Sequence, residues 1–146
     1  MKTTIHSSIH IDKPPADVAA VLLDPDKAVL WTTDLEEFEV VSRPPEIVGS
    51  RARLHYKEGD NRYIMDDELL EYEPNRRFLS RVTGDAIDAE VETLLTPTDK
   101  GTLVELRWSG SGKPFLLRLL LPFMRRSIQK QAYMDLEKLK MVVESN

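Results

Sequence analysis

Polar and apolar residues alternate along the first segment of the chain, residues 3–11. Ile5, Ile9 and Ile11 fall on one face of an extended chain, while the two histidines of the segment fall on the other. Side chains of a strand point alternately to its two faces, so this pattern indicates a strand with one face buried. The sequence therefore predicts a first strand over residues 3–11.

Prolines and aspartates interrupt the alternation after this strand. Asp12 is a candidate N-cap, and the Pro14-Pro15 pair suits the first turn of a helix. A short helix is predicted from there to about Leu23. Asp24-Pro25 breaks it, and a second short helix runs on through Trp31.

Six further strands are predicted over residues 35–112, the first of them over residues 35–41. Short turn sequences separate the last five, and a two-residue loop determines which residues of its flanking strands face each other. The turn sequences are Gly59-Asp60, Pro74-Asn75, Gly84-Asp85 and Asp99-Lys100. Two-residue loops there put Tyr56 opposite Tyr63, Asp67 opposite Ala52 and Val82, Leu69 opposite Ser80, Val82 opposite Ile87, Phe78 opposite Val91, and Val91 opposite Trp108.

These loops independently put the same apolar residues on one face of the sheet. That inner face holds Ala52, Leu54, Tyr56, Tyr63, Met65, Leu69, Phe78, Val82, Ile87, Ala89, Val91, Leu95, Val104, Leu106 and Trp108, together with the polar Asp67, Ser80 and Thr93. The other face is charged, with Glu92 expected across from Arg77 and Arg107, and Arg81 across from Asp88. A slip by one residue would turn the apolar set to water, so the faces are strongly specified.

An apolar stripe marks the end of the chain. Its members recur at the helical spacing of three and four residues and are Ile128, Ala132, Leu136, Leu139 and Val143. A long helix is predicted from Pro114 to about Val143, with a kink or break near Leu120–Leu121 because Pro122 removes one hydrogen bond. This helix is expected on the inner face of the sheet, since no other segment of the chain can cover that face.

Several short motifs accompany this order of elements. They are Ile9-x-Ile11-Asp12-Lys13-Pro14-Pro15-Ala16-Asp17-Val18, Asp24-Pro25-Asp26-Lys27, Trp31, Val48-Gly49-Ser50, Glu71-Tyr72-Glu73-Pro74-Asn75-Arg76-Arg77, Gly101-Thr102 and Leu136-Glu137-x-Leu139-Lys140. Together they resemble the SRPBCC superfamily over nearly the whole chain. That superfamily groups START-related lipid-transfer domains, birch-pollen-allergen-like proteins and polyketide cyclase/dehydrase-like proteins.

The resemblance implies an α+β helix-grip fold as a single domain over residues 1–146. In that fold a seven-stranded curved antiparallel sheet wraps around a long C-terminal helix, and two short helices join strands 1 and 2. It also implies a cavity between sheet and helix that takes a hydrophobic small molecule such as a lipid, a sterol or a polyketide. Some members cyclise polyketides, and others carry metal centres or act as adaptors, so the fold does not decide the function.

Composition narrows the classes of protein further. Apolar residues make up 41% and charged residues 31% of the 146-residue chain, which is typical of one globular domain. The absence of cysteine excludes disulfides, iron–sulfur clusters, zinc knuckles and thiol nucleophiles. The first residues lack the apolar run of a signal peptide, and no apolar stretch is long enough to span a membrane. We expect a soluble cytoplasmic protein.

Charge is unevenly distributed along the chain. Residues 1–112 carry 13 Lys and Arg against 22 Asp and Glu, whereas residues 113–146 carry 7 against 3. The acidic body argues against nucleic acid as the main partner, because phosphate neutralisation needs a basic surface. The basic end can meet an anionic surface, or it is simply a solvated helix face.

Asp67 is the most informative polar residue of the predicted inner face. An ionised carboxylate buried without a partner is costly, and no Lys, Arg or His shares that face. Desolvation is therefore expected to raise its pKa. Asp67 is the candidate for orienting a ligand or for acid–base chemistry, unless it lies at the cavity mouth and is only hydrated. The expected ligand-binding residues are Leu54, Tyr56, Tyr63, Met65, Asp67, Phe78, Ser80, Val91, Thr93, Leu106, Trp108, Phe123 and Ile128.

The histidines, His6, His10 and His55, have the parity opposite to the apolar face. They cannot join inward carboxylates in a metal site, and no glycine-rich phosphate loop is present, so we expect neither a metal nor a cofactor. Asp135 lies on the flank of the helical stripe. A solvated or salt-bridged role is expected for it, and the alternatives are a position at the cavity edge or a cap on a contact with the first helices.

Residues 114–126 form the most unusual segment. Eight of the ten residues from Phe115 to Met124 are apolar, and two arginines follow. A core buries only one stripe of a helix, so part of this segment must be exposed or meet a partner. The segment can gate the cavity with Pro122 as a hinge, form a homodimer face, or touch an anionic membrane weakly through Arg118, Arg125 and Arg126.

Three functions remain open on the sequence. The first is a binding or transport protein for a hydrophobic small molecule, such as a lipid or a polyketide. The second is a cyclase/dehydrase-type enzyme that uses Asp67 with Tyr56 or Tyr63, although no histidine is expected inside. The third is a non-enzymatic adaptor whose cavity is vestigial.

Overall fold

Seven antiparallel strands form one curved sheet, with a long helix near the C-terminus packed on its inner face. The computed structural model describes residues 2–115 and 120–145. The elements are β1 (Thr3–Ile11), α1 (Pro15–Leu22), α2 (Ala28–Trp31), β2 (Leu35–Ser42), β3 (Arg51–Glu58), β4 (Asn61–Glu73), β5 (Arg77–Thr83), β6 (Ile87–Thr98), β7 (Gly101–Gly112), a 3₁₀ turn (Leu121–Met124) and α3 (Arg125–Glu144). The strand order is β1-β7-β6-β5-β4-β3-β2, so the predicted helix-grip fold is confirmed.

The predicted N-cap of α1 is wrong. Pro14 occupies the cap position with Pro15 behind it, and no side chain caps the helix. Asp12 instead donates its backbone N–H to a carboxylate oxygen of Glu144, at 2.9 Å. This contact ties the end of β1 to the end of α3. The break after α1 is confirmed, and there Asp24 accepts a hydrogen bond from the backbone N–H of Asp26.

Two of the four predicted hairpin registers are confirmed throughout. Tyr56 faces Tyr63 across β3 and β4, and Val91 faces Trp108 across β6 and β7. Gly59 has a φ of 63° in the first of these turns, a conformation that glycine adopts without steric cost. The loops at these places have the predicted length.

The β4–β5 hairpin is confirmed near Asp67, which faces Val82, but it shifts beyond Leu69. The turn holds three residues, 74–76, and a β-bulge after Leu69 takes up the extra one. The bulge turns Tyr72 inward, where its ring lies 5.3 Å from that of Phe78. Glu71, which had the inward parity in the sequence pattern, is exposed and forms an ion pair with Arg77.

The predicted β5–β6 register is wrong by two residues. Val82 faces Ala89 and Phe78 faces Thr93, because four residues, 84–87, separate the last facing pair, Thr83 and Asp88, and the Gly84 N–H donates a hydrogen bond to the Ile87 carbonyl. A shift of two residues leaves every side chain on its predicted face. The expected ion pairs therefore still form, although diagonally: Arg81 with Asp88 and Arg77 with Glu92.

The core consists of two separate clusters of buried residues. The larger joins α1 and the C-terminal half of α3 to the sheet, and its members are Ile11, Val18, Ala19, Val21, Phe78, Leu95, Val104, Leu136, Leu139 and Val143. The smaller comprises Ala28, Leu35 and Leu54, with Phe38, Tyr56, Met65 and Val82 packed against it. The clusters hold the two short helices and the end of α3 on the sheet.

The long helix contributes fully buried side chains to the core only from its C-terminal half. Leu136, Leu139 and Val143 are each 1% exposed, whereas residues 125–134 include no fully buried side chain. The predicted break at Pro122 is confirmed, because a 3₁₀ turn precedes Arg125 and α3 begins there. Residues 116–119 of the predicted helix lie outside the described residues. None of the described helices is both long and apolar enough to cross a membrane.

Candidate functional site

The N-terminal half of α3 covers the inner face of the sheet incompletely, and we call this incompletely covered part the open space. Val91 and Trp108 face each other on β6 and β7, yet neither belongs to either core cluster. Their side chains and that of Ile128 on α3 are half-buried. Partial exposure on the concave side of the sheet means that α3 does not cover these residues completely. The predicted site residues that share this half-buried state are Tyr56, Met65, Asp67, Ser80, Val91, Thr93, Leu106, Trp108 and Ile128.

Asp67 lies on β4, between β3 and β5. Its neighbours across the sheet are Ala52 and Val82, so two of its flanks are apolar. Its Oδ1 atom is buried and has no hydrogen-bond partner within residues 2–115 and 120–145. Burial raises the pKa of Asp67 to about 6, and the Ser80 hydroxyl beside it opposes that rise. The expected rise in pKa is thus reproduced, and its physical cause is desolvation.

A stacked pair of tyrosines forms one end of the site. The rings of Tyr56 and Tyr63 lie 5.0 Å apart with an angle of 11° between their planes. Tyr56 is the inner member, and burial followed by the nearby Tyr63, Asp135 and Asp67 raises the pKa of its phenol. Its hydroxyl is therefore a protonated donor at neutral pH. An open hollow of about 240 Å³ adjoins the pair at the edge of the sheet, lined by Glu36, His55, Tyr56, Arg62, Tyr63 and Ile64.

Asp135 connects α3 to the segment between α2 and β2. Its carboxylate accepts hydrogen bonds from the backbone N–H of Thr33 at 2.9 Å and from the Thr33 hydroxyl at 2.5 Å. The Lys138 ammonium donates to the same hydroxyl oxygen at 2.9 Å. Burial raises the pKa of Asp135, while the bonds from Thr33 lower it. Asp135 is therefore half-buried and caps a contact next to the first helices, which was the alternative to the solvated or salt-bridged role expected from the sequence.

Trp31 was not expected to be a site residue, yet its indole nitrogen is buried. Within the described part of the chain Nε1 has no hydrogen-bond acceptor, and the ring packs against the larger core cluster. A buried indole N–H normally has a partner. The sequence pattern indicated the helix that carries Trp31, but nothing in it specified which way the ring points.

Three predicted site residues do not line the open space. Leu54 and Phe78 are 7% and 8% exposed and pack into the two core clusters. Phe123 is 86% exposed, so it does not line the space in this structure. The reason is the 3₁₀ turn, which directs Leu121 into the protein and leaves the side chain two residues further on in solvent.

The histidines lie on the outer face, as the parity predicts. His6 contacts Glu105, and His10 contacts Thr98. His55 lies 2.8 Å from a carboxylate oxygen of Glu39, and Glu37 is close enough for the three side chains to reach one point. A β-bulge after Leu35 brings Glu37 level with His55. This group lies outside the site between sheet and helix, and sequence parity alone did not reveal it.

Comparison with known proteins identifies the family of this chain and solved structures that share its fold. The family model described as polyketide cyclase/dehydrase and lipid transport matches residues 2–144. No curated protein matches. A START superfamily protein from Mycobacterium smegmatis superposes with a TM-score of 0.80 at 12% identity, covering 97% of each chain. The Zhui aromatase/cyclase from a Streptomyces species gives 0.78 at 16%, covering 99% of this chain and 94% of that one. A protein from Thermus thermophilus gives 0.79 at 20%, covering 98% of each.

Proposed function

Because this chain belongs to the polyketide cyclase/dehydrase and lipid transport family, we propose that it binds an apolar small molecule between the sheet and the N-terminal half of α3. The proposed ligand carries at least one hydrogen-bond acceptor, such as a carbonyl oxygen. Lipids and polyketides are the two ligand classes that meet this description. Most of the walls are aliphatic or aromatic, with few polar groups, which is the usual composition of a small-molecule site.

The observation that carries this proposal is the unpartnered Oδ1 atom of Asp67. Leaving a buried polar atom without a partner costs on the order of 1–3 kcal/mol, which a bound ligand recovers. Since burial raises the pKa of Asp67 to about 6, a neutral carboxylic acid is present below that pH. The neutral acid donates a hydrogen bond to a ligand carbonyl. The Tyr56 hydroxyl, also protonated, is a second donor and lies four residues along β3 from Ala52, the residue that faces Asp67.

Nile red tests this assignment because it is neutral, apolar and carries a carbonyl oxygen. We expect wild-type protein to bind Nile red at low pH, with an affinity that falls as pH rises through about 6, where Asp67 loses its proton. Asp67→Asn keeps the size and a donor but does not titrate. The variant should therefore bind nearly as well at low pH and show no pH dependence between pH 4 and 8.

Asp66→Asn is the matched control. Asp66 is the preceding residue on β4, its side chain is exposed on the outer face, and it lies 3.8 Å from Arg53. This variant should keep the wild-type affinity and the wild-type pH profile. The orienting role of Asp67 is wrong if Asp67→Asn and wild-type protein give the same affinity over the whole pH range. The binding function itself is wrong if wild-type protein takes up no apolar probe at any pH.

Native mass spectrometry of protein purified from its own host gives the ligand class directly. A retained adduct with the mass of a lipid or a polyketide would support the proposal. An adaptor with a vestigial cavity predicts no adduct and no uptake of Nile red.

Acid–base catalysis at Asp67 is the second candidate function. A carboxyl with a pKa of about 6 is matched to proton transfer near neutral pH, and a hydroxyl, that of Ser80, lies beside it. If the protein is a cyclase/dehydrase-type enzyme, Asp67→Asn should retain substrate binding and lose turnover. If Asp67 only orients the ligand, no turnover exists to be lost. Assays with aromatic polyketide precursors separate the two roles.

A further inference from the structure

Large apolar side chains are exposed where the chain enters α3. Phe123 is 86% exposed, and Leu120 and Met124 beside it are 46% and 42% exposed. Arg126 and Lys130 follow one helical turn apart on α3, and both are exposed. We call these five residues the Phe123 surface. A monomeric protein rarely leaves adjacent large apolar groups in water without a binding role.

The charge around this surface has one sign. Residues 113–134 contain five Lys and Arg and no Asp or Glu, although the whole chain has 25 acidic residues against 20 basic ones. The first carboxylate after residue 112 is Asp135, which is bonded to Thr33. The Phe123 surface is therefore a basic and apolar region on an otherwise acidic protein.

The surface is held in position by the fold. The Arg125 guanidinium donates from Nε to the Thr4 carbonyl at 3.0 Å, and the Gln129 amide donates to the His6 carbonyl at 3.2 Å. Both bonds fasten the start of α3 to β1. Leu121 is 1% exposed and anchors the preceding turn in the protein. Phe123 is thus directed outward by a fixed backbone.

From this combination we propose that the Phe123 surface docks on an anionic lipid bilayer. An aromatic side chain inserts into the interfacial region, while arginine and lysine beside it pair with anionic headgroups. Docking there brings the start of α3, one boundary of the ligand space, to the membrane. The inference goes beyond ligand binding, because it names a surface that the ligand does not touch.

The positive charge of the Phe123 surface disfavours a homodimer formed through this surface. A two-fold dimer contact brings the same patch of both copies together. The five Lys and Arg of residues 113–134 would then face their own copies with no carboxylate from that segment between them. Gating by Phe123 is also disfavoured, because its side chain is in solvent and does not close over the site.

Co-sedimentation with vesicles tests the docking. We expect wild-type protein to bind vesicles of equal parts phosphatidylcholine and phosphatidylglycerol, and not vesicles of phosphatidylcholine alone. Binding should weaken as salt is added, because salt screens the headgroup charge. Phe123→Ser should lower the partition coefficient about tenfold, since it removes a large apolar group. Arg126→Gln and Lys130→Gln should each lower it about fivefold.

Two control variants make the same kinds of substitution at exposed positions outside the Phe123 surface. Met141→Ser removes an apolar side chain that is 71% exposed near the other end of α3. Arg62→Gln removes an exposed charge on β4, where Arg62 contacts Glu36. Both should bind anionic vesicles as wild-type protein does. Equal losses in the controls and in Phe123→Ser would overturn the proposal, as would a wild-type protein that does not bind anionic vesicles.

Two further measurements distinguish membrane docking from a dimer face and from a gate over the ligand site. If the surface is a dimer face, Phe123→Ser shifts the protein from dimer to monomer in sedimentation velocity while vesicles bind neither form. If the segment is a gate, Phe123→Ser changes the release rate of Nile red and leaves vesicle binding unchanged. Either result overturns membrane docking. Loss of vesicle binding with unchanged Nile red binding supports it, and it does so independently of Asp67.

Discussion

The indole of Trp108 lies against the α-carbon of Gly110, two residues further along β7. A Cβ atom added at Gly110 would be 2.4 Å from the Cη2 atom of Trp108. Non-bonded carbon atoms in proteins do not approach so closely, so the bare α-carbon is what lets the ring lie flat along the inner face. Gly110 thereby sets the position of one wall of the ligand space.

Gly110→Ala is expected to displace the Trp108 indole. Overpacking of this kind costs about 1–3 kcal/mol of unfolding free energy. Urea unfolding measures the cost, and tryptophan fluorescence reports the change around the ring. Gly59→Ala is the control, because a Cβ at Gly59 meets no atom within 4 Å. Gly59 has a positive φ, so its variant loses some stability, but the fluorescence of the folded protein should not change.

Asp67 makes the stability of the protein depend on pH in a defined direction. Its pKa is about 6 in the folded protein, above the ~3.9 of an unfolded chain. The folded state therefore binds the proton more tightly. The stabilisation is complete below pH ~4 and is lost as pH rises through about 6. The loss is on the order of 2–3 kcal/mol, since one pKa unit corresponds to about 1.4 kcal/mol.

Urea unfolding of wild-type protein and Asp67→Asn across that range tests the linkage. Between pH 4 and 6 the unfolding free energy of wild-type protein should fall relative to that of Asp67→Asn, because only wild-type protein loses the Asp67 proton. Asp66→Asn should follow wild-type protein. A constant difference between wild-type protein and Asp67→Asn would mean that Asp67 titrates alike in the folded and unfolded states.

The hydrogen bonds from Thr33 to Asp135 are expected to stabilise the packing of α3 on the first helices. Thr33→Val keeps the shape of the side chain and removes the hydroxyl that Asp135 and Lys138 share. We expect a loss of about 1–3 kcal/mol, because the acceptor is a half-buried carboxylate. Removing this donor should also raise the pKa of Asp135 further, which carboxyl NMR measures.

Thr32→Val is the control for that variant. Thr32 is the neighbouring residue, is also half-buried, and forms no side-chain hydrogen bond among the described residues. Its variant should match wild-type protein in stability and in the Asp135 pKa. Equal destabilisation by both variants would assign the effect to packing rather than to the Asp135 contact.

Three valines of the sheet distinguish the core from the open space. Val104 is fully buried, Val91 is half-buried beside the space, and Val41 is exposed. Val104→Asp should not fold, because its carboxyl would have neither water nor a partner. Val91→Asp should fold, since the side chain at this position is partly exposed to water, and it should bind Nile red weakly. Val41→Asp should resemble wild-type protein in both circular dichroism and Nile red binding.

Short-range pattern and turn chemistry were enough to predict the faces of the sheet. Asp67 was expected inside from alternation alone, because the side-chain direction in a strand repeats every two residues. For the same reason an error of two residues in the β5–β6 register left Val82 and Ala89 on their predicted face. An odd number of extra residues changes the direction, which is why the bulge after Leu69 turned Glu71 outward and Tyr72 inward.

The position of α3 over the inner face of the sheet depends on tertiary packing. Alternation does not determine how far along the sheet a helix is held, and here the core clusters hold only the second half of α3. The contacts of Asp135 with Thr33 and of Trp108 with Gly110 join atoms whose approach depends on three-dimensional packing. Alternation along the strands is enough to identify the inward-facing residues, except beyond the bulge after Leu69. Three-dimensional packing decided that the Oδ1 atom of Asp67 is buried without a partner, and the 3₁₀ turn decided that Phe123 is exposed.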